Sequence, residues 1–152
     1  MHGFIQDSRF IKMLEFFFFV LYTYLFACIF LDEACQKYQN LTDGTRKYDH
    51  ITVQSKCDDT LIFGWYRFQG AAGTKVATTC PPVNRCDTSS PVWLNGKHPS
   101  VAEGTVQRNF CIHQIGNCCH SSFKVYVKNC SSYYMYKLFY PGVCNTRYCS
   151  TD

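Results

Sequence analysis

The residues of this chain best able to do chemistry are its cysteines and the histidines among them. His113 and His120 flank Cys118-Cys119, and Cys111 lies close by. A structural zinc needs about four Cys or His ligands converging tetrahedrally, and these five residues could supply part of such a set. A thiolate beside an imidazole is also the nucleophile and base of covalent catalysis, provided one cysteine stays unpaired. The cysteine count argues against both. Of 11 cysteines, Cys28 sits inside an apolar run near the N-terminus, which leaves ten: Cys35, Cys57, Cys80, Cys86, Cys111, Cys118, Cys119, Cys130, Cys144 and Cys149. An even set in an oxidising compartment closes into disulfides before it meets metal. Other catalytic sets are weaker. A paired-carboxylate hydrolase needs two acids about 5–9.5 Å apart, and the adjacent Asp58 and Asp59 read as a polar turn after Cys57. Gly70 and Gly73 open no clear helix, so they make no phosphate cradle. The sequence predicts no enzyme, no cofactor and no metal site.

The oxidising compartment follows from the N-terminus. Residues 1–12 are polar and carry Arg9 and Lys12, and sixteen residues without a charge follow from Phe16 to Leu31. A basic flank before an apolar run of this length is the pattern of a secretory signal peptide. As a helix the run covers only about 24 Å, short of the roughly 30 Å hydrocarbon core. The expected organisation is a signal segment over residues 1–31, with an uncleaved signal anchor as the alternative, and one cysteine-rich domain over residues 35–149. From Cys35 onward there are thirteen Lys and Arg against seven Asp and Glu. The cations are scattered rather than clustered, so nucleic acid is not an expected partner. No second apolar run follows, so no membrane contact is expected beyond the signal segment. The localisation expected is secreted, extracellular.

A domain of this size has a modest core, and five bridges at roughly 2–4 kcal/mol each would rival its net stability. Spacing alone leaves open the roughly 945 pairings of ten cysteines. Neighbours Cys118 and Cys119 are poor partners for each other, because on a strand their side chains point to opposite faces. Turn dipeptides at Asp43-Gly44, Pro81-Pro82, Asn95-Gly96, His98-Pro99 and Pro141-Gly142 punctuate the chain. Between them, residues 61–68, 123–128 and 133–139 read as strands, the last two joined as a hairpin through residues 129–132. Residues 105–115 could hold one short helix. The fold class expected is small, disulfide-rich and mainly β, with one or two short helices. Two sequons, Asn40-Leu41-Thr42 and Asn129-Cys130-Ser131, are candidate glycosylation sites.

The cysteine separations are 22, 23, 6, 25, 7, 1, 11, 14 and 5, and distinctive words lie between them. These include Gly64-Trp65-Tyr66-Arg67-Phe68 with Gly70 and Gly73, Arg85-Cys86, and Pro91-Val92-Trp93-Leu94-Asn95-Gly96 followed by His98-Pro99. Glu103-Gly104, Cys118-Cys119, residues 125–128 with Cys130, Tyr133-Tyr134 and Tyr136 continue the series. The opening Cys35-x-x-Tyr38-x-x-Leu41 with Arg46 fits as well. Together they resemble the cysteine-rich domain, in its ten-cysteine form, of the family of uromodulin, the pancreatic zymogen-granule glycoprotein and oncoprotein-induced transcript three. The resemblance covers residues 35–149.

That resemblance implies the pairing Cys35–Cys130, Cys57–Cys144, Cys80–Cys118, Cys86–Cys149 and Cys111–Cys119. It also implies a non-enzymatic extracellular module, with Trp65 and Trp93 as buried anchors. Family members use the domain ahead of a polymerising module, and two of them display a mannose-rich glycan that captures a bacterial fimbrial lectin. The matching position here is Lys137, which carries no N-glycan, and Lys97 breaks a second sequon of the family. The function expected is a secreted interaction module in innate defence or matrix and surface binding. Its partner would be an extracellular protein or a glycan-binding protein. The rival readings are a cysteine-rich toxin or inhibitor, and a redox or metal-dependent enzyme.

Overall fold

Aromatic and β-branched residues at period two make strands the main regular structure of the cysteine-rich part of this chain. The computed structural model describes residues 8–29 and 33–152, which divide into two units, Met1–Gln36 and Lys37–Asp152. The first unit contains one α-helix, α1 (Ser8–Ile29). The apolar run beginning at Phe16 falls in α1, with Phe16 to Phe19 exposed; its last two residues, Phe30 and Leu31, lie outside the described residues. Among the described residues, no helix is long and apolar enough to cross a membrane.

The second unit is built of strands β1 (Gln39–Leu41), β2 (Gly64–Phe68), β3 (Lys75–Val76), β4 (Ser90–Leu94), β5 (Thr105–Gln114), β6 (Asn117–Asn129), β7 (Tyr134–Leu138), β8 (Thr146–Tyr148) and β9 (Ser150–Thr151). Seven of them form one sheet in the order β1-β2-β7-β6-β5-β4-β8, and β3 pairs with β9 in a second. The fold is thus mainly β and disulfide-rich, as the sequence leads one to expect. The β6–β7 hairpin sets Val127 opposite Tyr136 and Asn129 opposite Tyr134. Its turn is closed by the Cys130 N–H donating to the Tyr133 carbonyl at 2.8 Å, with Ser131 at φ 70°.

Residues 105–115 are not a helix. All but the last of them form β5, paired antiparallel with β6 from Thr105↔Lys128 to Gln114↔Asn117. Val106, Phe110 and Ile112 suit either a helical or an extended spacing. The long-range ladder decides, because it stacks Phe110 on Phe123 with ring centroids 6.3 Å apart and buries Phe110 and Ile112 in the sheet's core face.

That core joins Tyr66 and Phe68 of β2, Val92 and Leu94 of β4, Val125 and Val127 of β6, Tyr136 and Leu138 of β7, and Tyr148 of β8. Its rings meet edge to face, Phe68 on Tyr136 at 5.6 Å and Phe110 on Tyr148 at 6.1 Å, the arrangement the ring quadrupole favours. The hydroxyls of its tyrosines find partners: Tyr66 donates to the Ile62 carbonyl at 2.8 Å and Tyr148 to that of Phe139 at 3.0 Å. Trp93 is buried and donates its indole N–H to the Cys118 carbonyl at 2.8 Å. Trp65, expected to be a second buried anchor, remains half exposed, because Tyr66 and Phe68 take the inward positions of β2.

Candidate functional site

The cysteines sort into bonded pairs and one near pair. Disulfides join Cys80 to Cys118, Cys86 to Cys149 and Cys111 to Cys119, and Cys35 and Cys130 are each disulfide-bonded. Adjacent positions on β6 send Cys118 and Cys119 to opposite faces and so to different partners. Cys57 and Cys144 stand as thiols, with their sulfurs and an Asp59 carboxylate oxygen all within 4.8 Å of one another. A bond needs the sulfurs at about 2.05 Å. Both residues lie in loops, outside any ladder that would fix their backbones at bridging separation.

Among Cys111, His113, Cys118, Cys119 and His120 the structure leaves no free thiol. His113 Nδ1 lies 3.5 Å from the Cys80 sulfur, but Cys80 and Cys118 are bonded to each other and have no thiolate to offer. The same ring nitrogen is 2.6 Å from the Pro81 carbonyl, so it carries the proton and donates there. Cys111 and Cys119 are likewise bonded to each other, and His120 lines a cavity of about 390 Å³ with Asn84, Ser89 and Gln114. The Cys144 thiol is pushed up by its hydrogen bond with Cys57, the reverse of what activates a nucleophile. Gly73 closes a tight turn at φ 75°, where a Cβ would sit 2.5 Å from the Thr151 carbonyl oxygen. This glycine serves backbone packing.

Asp58, expected in a polar turn, is instead 1% exposed and accepts both guanidinium nitrogens of Arg46, at 2.5 and 2.9 Å, together with the Tyr148 N–H at 2.8 Å. It ties the loop before β2 to strand β8. Around it runs a network that the sequence does not announce. Arg147 donates to Asp43 at 2.7 Å and to the Cys86 carbonyl at 3.1 Å. Lys56 reaches Asp43 at 3.0 Å and Asp87 at 3.5 Å. Burial pushes the Asp43 carboxyl up, but the Thr45 N–H and the Lys56, Thr45 and Arg147 side chains outweigh it and hold the group well below the usual carboxylate range. Asp87 is lowered in the same sense, its burial outweighed by the Gln54 and Val53 N–H donors and by Lys56. These acids are spent on structure.

A further polar contact is made by the half-buried His98. It stacks on Tyr134 at 4.4 Å, and its Nε2 lies 2.7 Å from the Tyr136 hydroxyl, which already accepts from the Val76 N–H at 3.0 Å. Tyr136 is fully buried, so its own proton is satisfied only by donation to His98, which requires a neutral imidazole. Burial, then the charges of Lys75 and Arg108, push His98 down to about 4. An unfolded histidine titrates near 6.5. The folded protein therefore binds fewer protons between those values, and the stability contributed by neutral His98 is complete above about pH 6.5 and lost as pH falls toward 4. Thermal unfolding followed from pH 7 to pH 4 will show this slope, and His98→Asn will flatten it while lowering the midpoint at pH 7. An unchanged slope in the variant would contradict the assignment.

The two sequons differ sharply. Asn40 is exposed on edge strand β1. Asn129 is engaged on both atoms of its amide: Nδ2 donates to the Pro99 carbonyl at 3.0 Å and Oδ1 accepts from the Ser131 N–H at 2.9 Å. Lys137 points outward from β7, its ammonium 5.0 Å from the Phe63 ring centroid and 5.8 Å from that of Trp65. Of the tyrosines in the hairpin, Tyr136 is core, and Tyr134 is half-buried against His98.

A family model for a "Uromodulin-like" domain matches residues 66–150. Uromodulin from Mus musculus is 44% identical over 119 residues, covering 78% of this chain and 18% of that protein. The "Pancreatic secretory granule membrane major glycoprotein GP2" of Homo sapiens is 39% identical over 119 residues, covering 78% of this chain and 22% of its own length. The chain thus spans about a fifth of the length of these relatives. With the hairpin, the adjacent Cys118 and Cys119 on β6 and the match across 66–150, the chain belongs to the uromodulin-like domain family.

Proposed function

We propose that this chain is a secreted, non-enzymatic interaction module that meets its partners through protein surface rather than through a displayed glycan. The observation that carries this reading is the use of the titratable groups. Asp43, Asp58, Asp87, His98 and His113 are each bound into hydrogen bonds that hold the fold, and eight cysteines are bonded. Kinship with uromodulin and the secretory-granule glycoprotein supports an extracellular setting. In that setting Cys57 and Cys144 close as the fifth disulfide, and the signal segment is residues 1–31. The pairing Cys35–Cys130 ties the start of the domain to the hairpin turn.

Asn40, exposed on β1, carries the glycan; Asn129 does not, because its side chain is held in the hairpin turn by the Pro99 carbonyl and the Ser131 N–H, where an attached sugar would disturb that packing. Its sequon also holds the disulfide-bonded Cys130. Expressed in mammalian cells, the full chain will be recovered from the medium as one N-glycosylated species. Enzymatic deglycosylation will lower its mass by one glycan, Asn40→Gln will abolish that shift and Asn129→Gln will leave it. Retention in the cytosol as an unglycosylated, reduced chain would overturn the reading. Glycan-dependent capture by a mannose-specific fimbrial lectin would restore glycan display as the means of recognition.

A further inference from the structure

The outward face of the large sheet is basic and aromatic. Tyr66, Phe68, Val125, Val127, Tyr136 and Leu138 point into the core, so by alternation Trp65, Arg67, Lys124, Tyr126, Lys128, Met135 and Lys137 point the other way. Met135, opposite Lys128, is fully buried, so the open part of this face lies away from the hairpin turn. The register assembles them. Trp65 pairs with Lys137, and because Val127 pairs with Tyr136, Lys137 lies across from Tyr126, which pairs in turn with Gln107. One row therefore runs Trp65, Lys137, Tyr126, Gln107 at the strand spacing of about 4.8 Å. Lys124 and Lys128 stand on either side of it along β6, roughly 13 Å apart at the rise of an extended strand. None of the outward positions of β2, β6 and β7 is acidic. Other acids are used elsewhere, Asp43, Asp58 and Asp87 in the network with Arg46, Arg147 and Lys56, and Glu103 with Arg108. Ile62 and Phe63 extend the apolar end of the row, 72% and 64% exposed.

We infer that this face binds an anionic polysaccharide, with sulfate or carboxylate groups on Lys124 and Lys137 and sugar rings against Phe63, Trp65 and Tyr126. Arg67 is already committed, lying 4.0 Å over the Tyr133 ring and donating to the Tyr38 hydroxyl at 3.3 Å. A face that carries cations beside exposed rings and no acid favours a polyanion, and attraction across it sets both rate and specificity. Exposed rings beside cations suit a ligand whose apolar C–H faces alternate with anionic groups. An acidic protein segment matches the charge but not the repeated pairing of ring and cation. The polymer's class follows from the extracellular reading above, whereas the geometry of the face does not depend on it.

The test uses full-length secreted protein carrying Asn40→Gln, which removes the glycan beside the face, since Asn40 pairs with Arg67. Heparin, poly-glutamate and single-stranded DNA are the probes, at physiological salt. Heparin is expected to bind most tightly, with affinity falling as salt rises. Lys124→Glu combined with Lys137→Glu should weaken it by roughly tenfold or more, while Lys97→Glu, an exposed charge reversal off this face, should change it less than about twofold. A far-ultraviolet spectrum and thiol count matching the parent show that the double variant is folded. Undiminished heparin binding by that folded variant, or tighter binding of poly-glutamate or DNA, would overturn the proposal and leave the secreted-module reading standing. Failure of the parent to reach the medium would count against that reading instead.

Discussion

Replacing Asp58 with alanine will lower the unfolding free energy by about 3–5 kcal/mol, the range for breaking one side of a buried ion pair. Arg46 is 7% and Asp58 1% exposed, and the carboxylate receives the guanidinium twice and the Tyr148 N–H once. Removing it leaves a buried cation without its counter-charge and a buried donor without an acceptor, each of which costs more than the net worth of the intact pair. For a domain whose whole stability is about 5–15 kcal/mol, that loss is large enough to cut secreted yield. The companion variant Arg46→Met with Asp58→Leu removes both charges together and should recover a substantial part of the loss. Chemical denaturation of the disulfide-intact proteins measures both. Asp58→Ala within about 1 kcal/mol of the parent would show that the pair does not anchor the loop to β8.

The second large effect is expected at Cys86–Cys149. Both cysteines are fully buried, packed with Ala77, and the bridge spans a separation of 63 residues. On the chain-entropy account, opening a loop of that size costs about 4 kcal/mol, against about 2.5 for the separation of eight at Cys111–Cys119. The bridge also holds backbone that would otherwise relax. Cys86 and Asp87 have φ values of 60° and 54°, a left-handed conformation that persists only where surroundings impose it. Those surroundings are the disulfide, the Val53 and Gln54 N–H groups on Asp87, and Arg147 on the Cys86 carbonyl. Double alanine variants of the two bridges, compared by denaturant midpoint, should therefore rank with Cys86–Cys149 the more damaging. The reverse order would mean that native packing, not loop closure, sets the contribution of each bridge.

How much of this was legible in the chain depends on the range of the interactions. The β6–β7 hairpin is readable because it is local. Phe123, Val125 and Val127 alternate with lysines and tyrosine, and a four-residue turn sets the register. Strand β5 carries a pattern that suits two periods, and only its pairing with β6 selects one. The network about Asp43, Asp58 and Asp87 has no local signature at all. Arg147 meets Asp43 across 104 positions, and a run such as Cys57-Asp58-Asp59 looks like a solvated turn until the guanidinium that fills it is known. The tyrosines divide for the same reason: Tyr126, Tyr134 and Tyr136 are one residue type in one hairpin, yet pleat and neighbours make them exposed, half-buried and core respectively.

The central claim, a disulfide-stapled module made for the oxidising exterior, rests most directly on the state of Cys57 and Cys144. Their sulfurs face one another within 4.8 Å without a bond, close enough for modest loop movement to join them. The decisive measurement is a thiol count, by alkylation under denaturing conditions and mass mapping, on protein recovered from the culture medium. Zero thiols, with Cys57 linked to Cys144, is the result predicted for the mature domain. Two thiols mapped to Cys57 and Cys144 in protein that is nevertheless secreted and folded would contradict it.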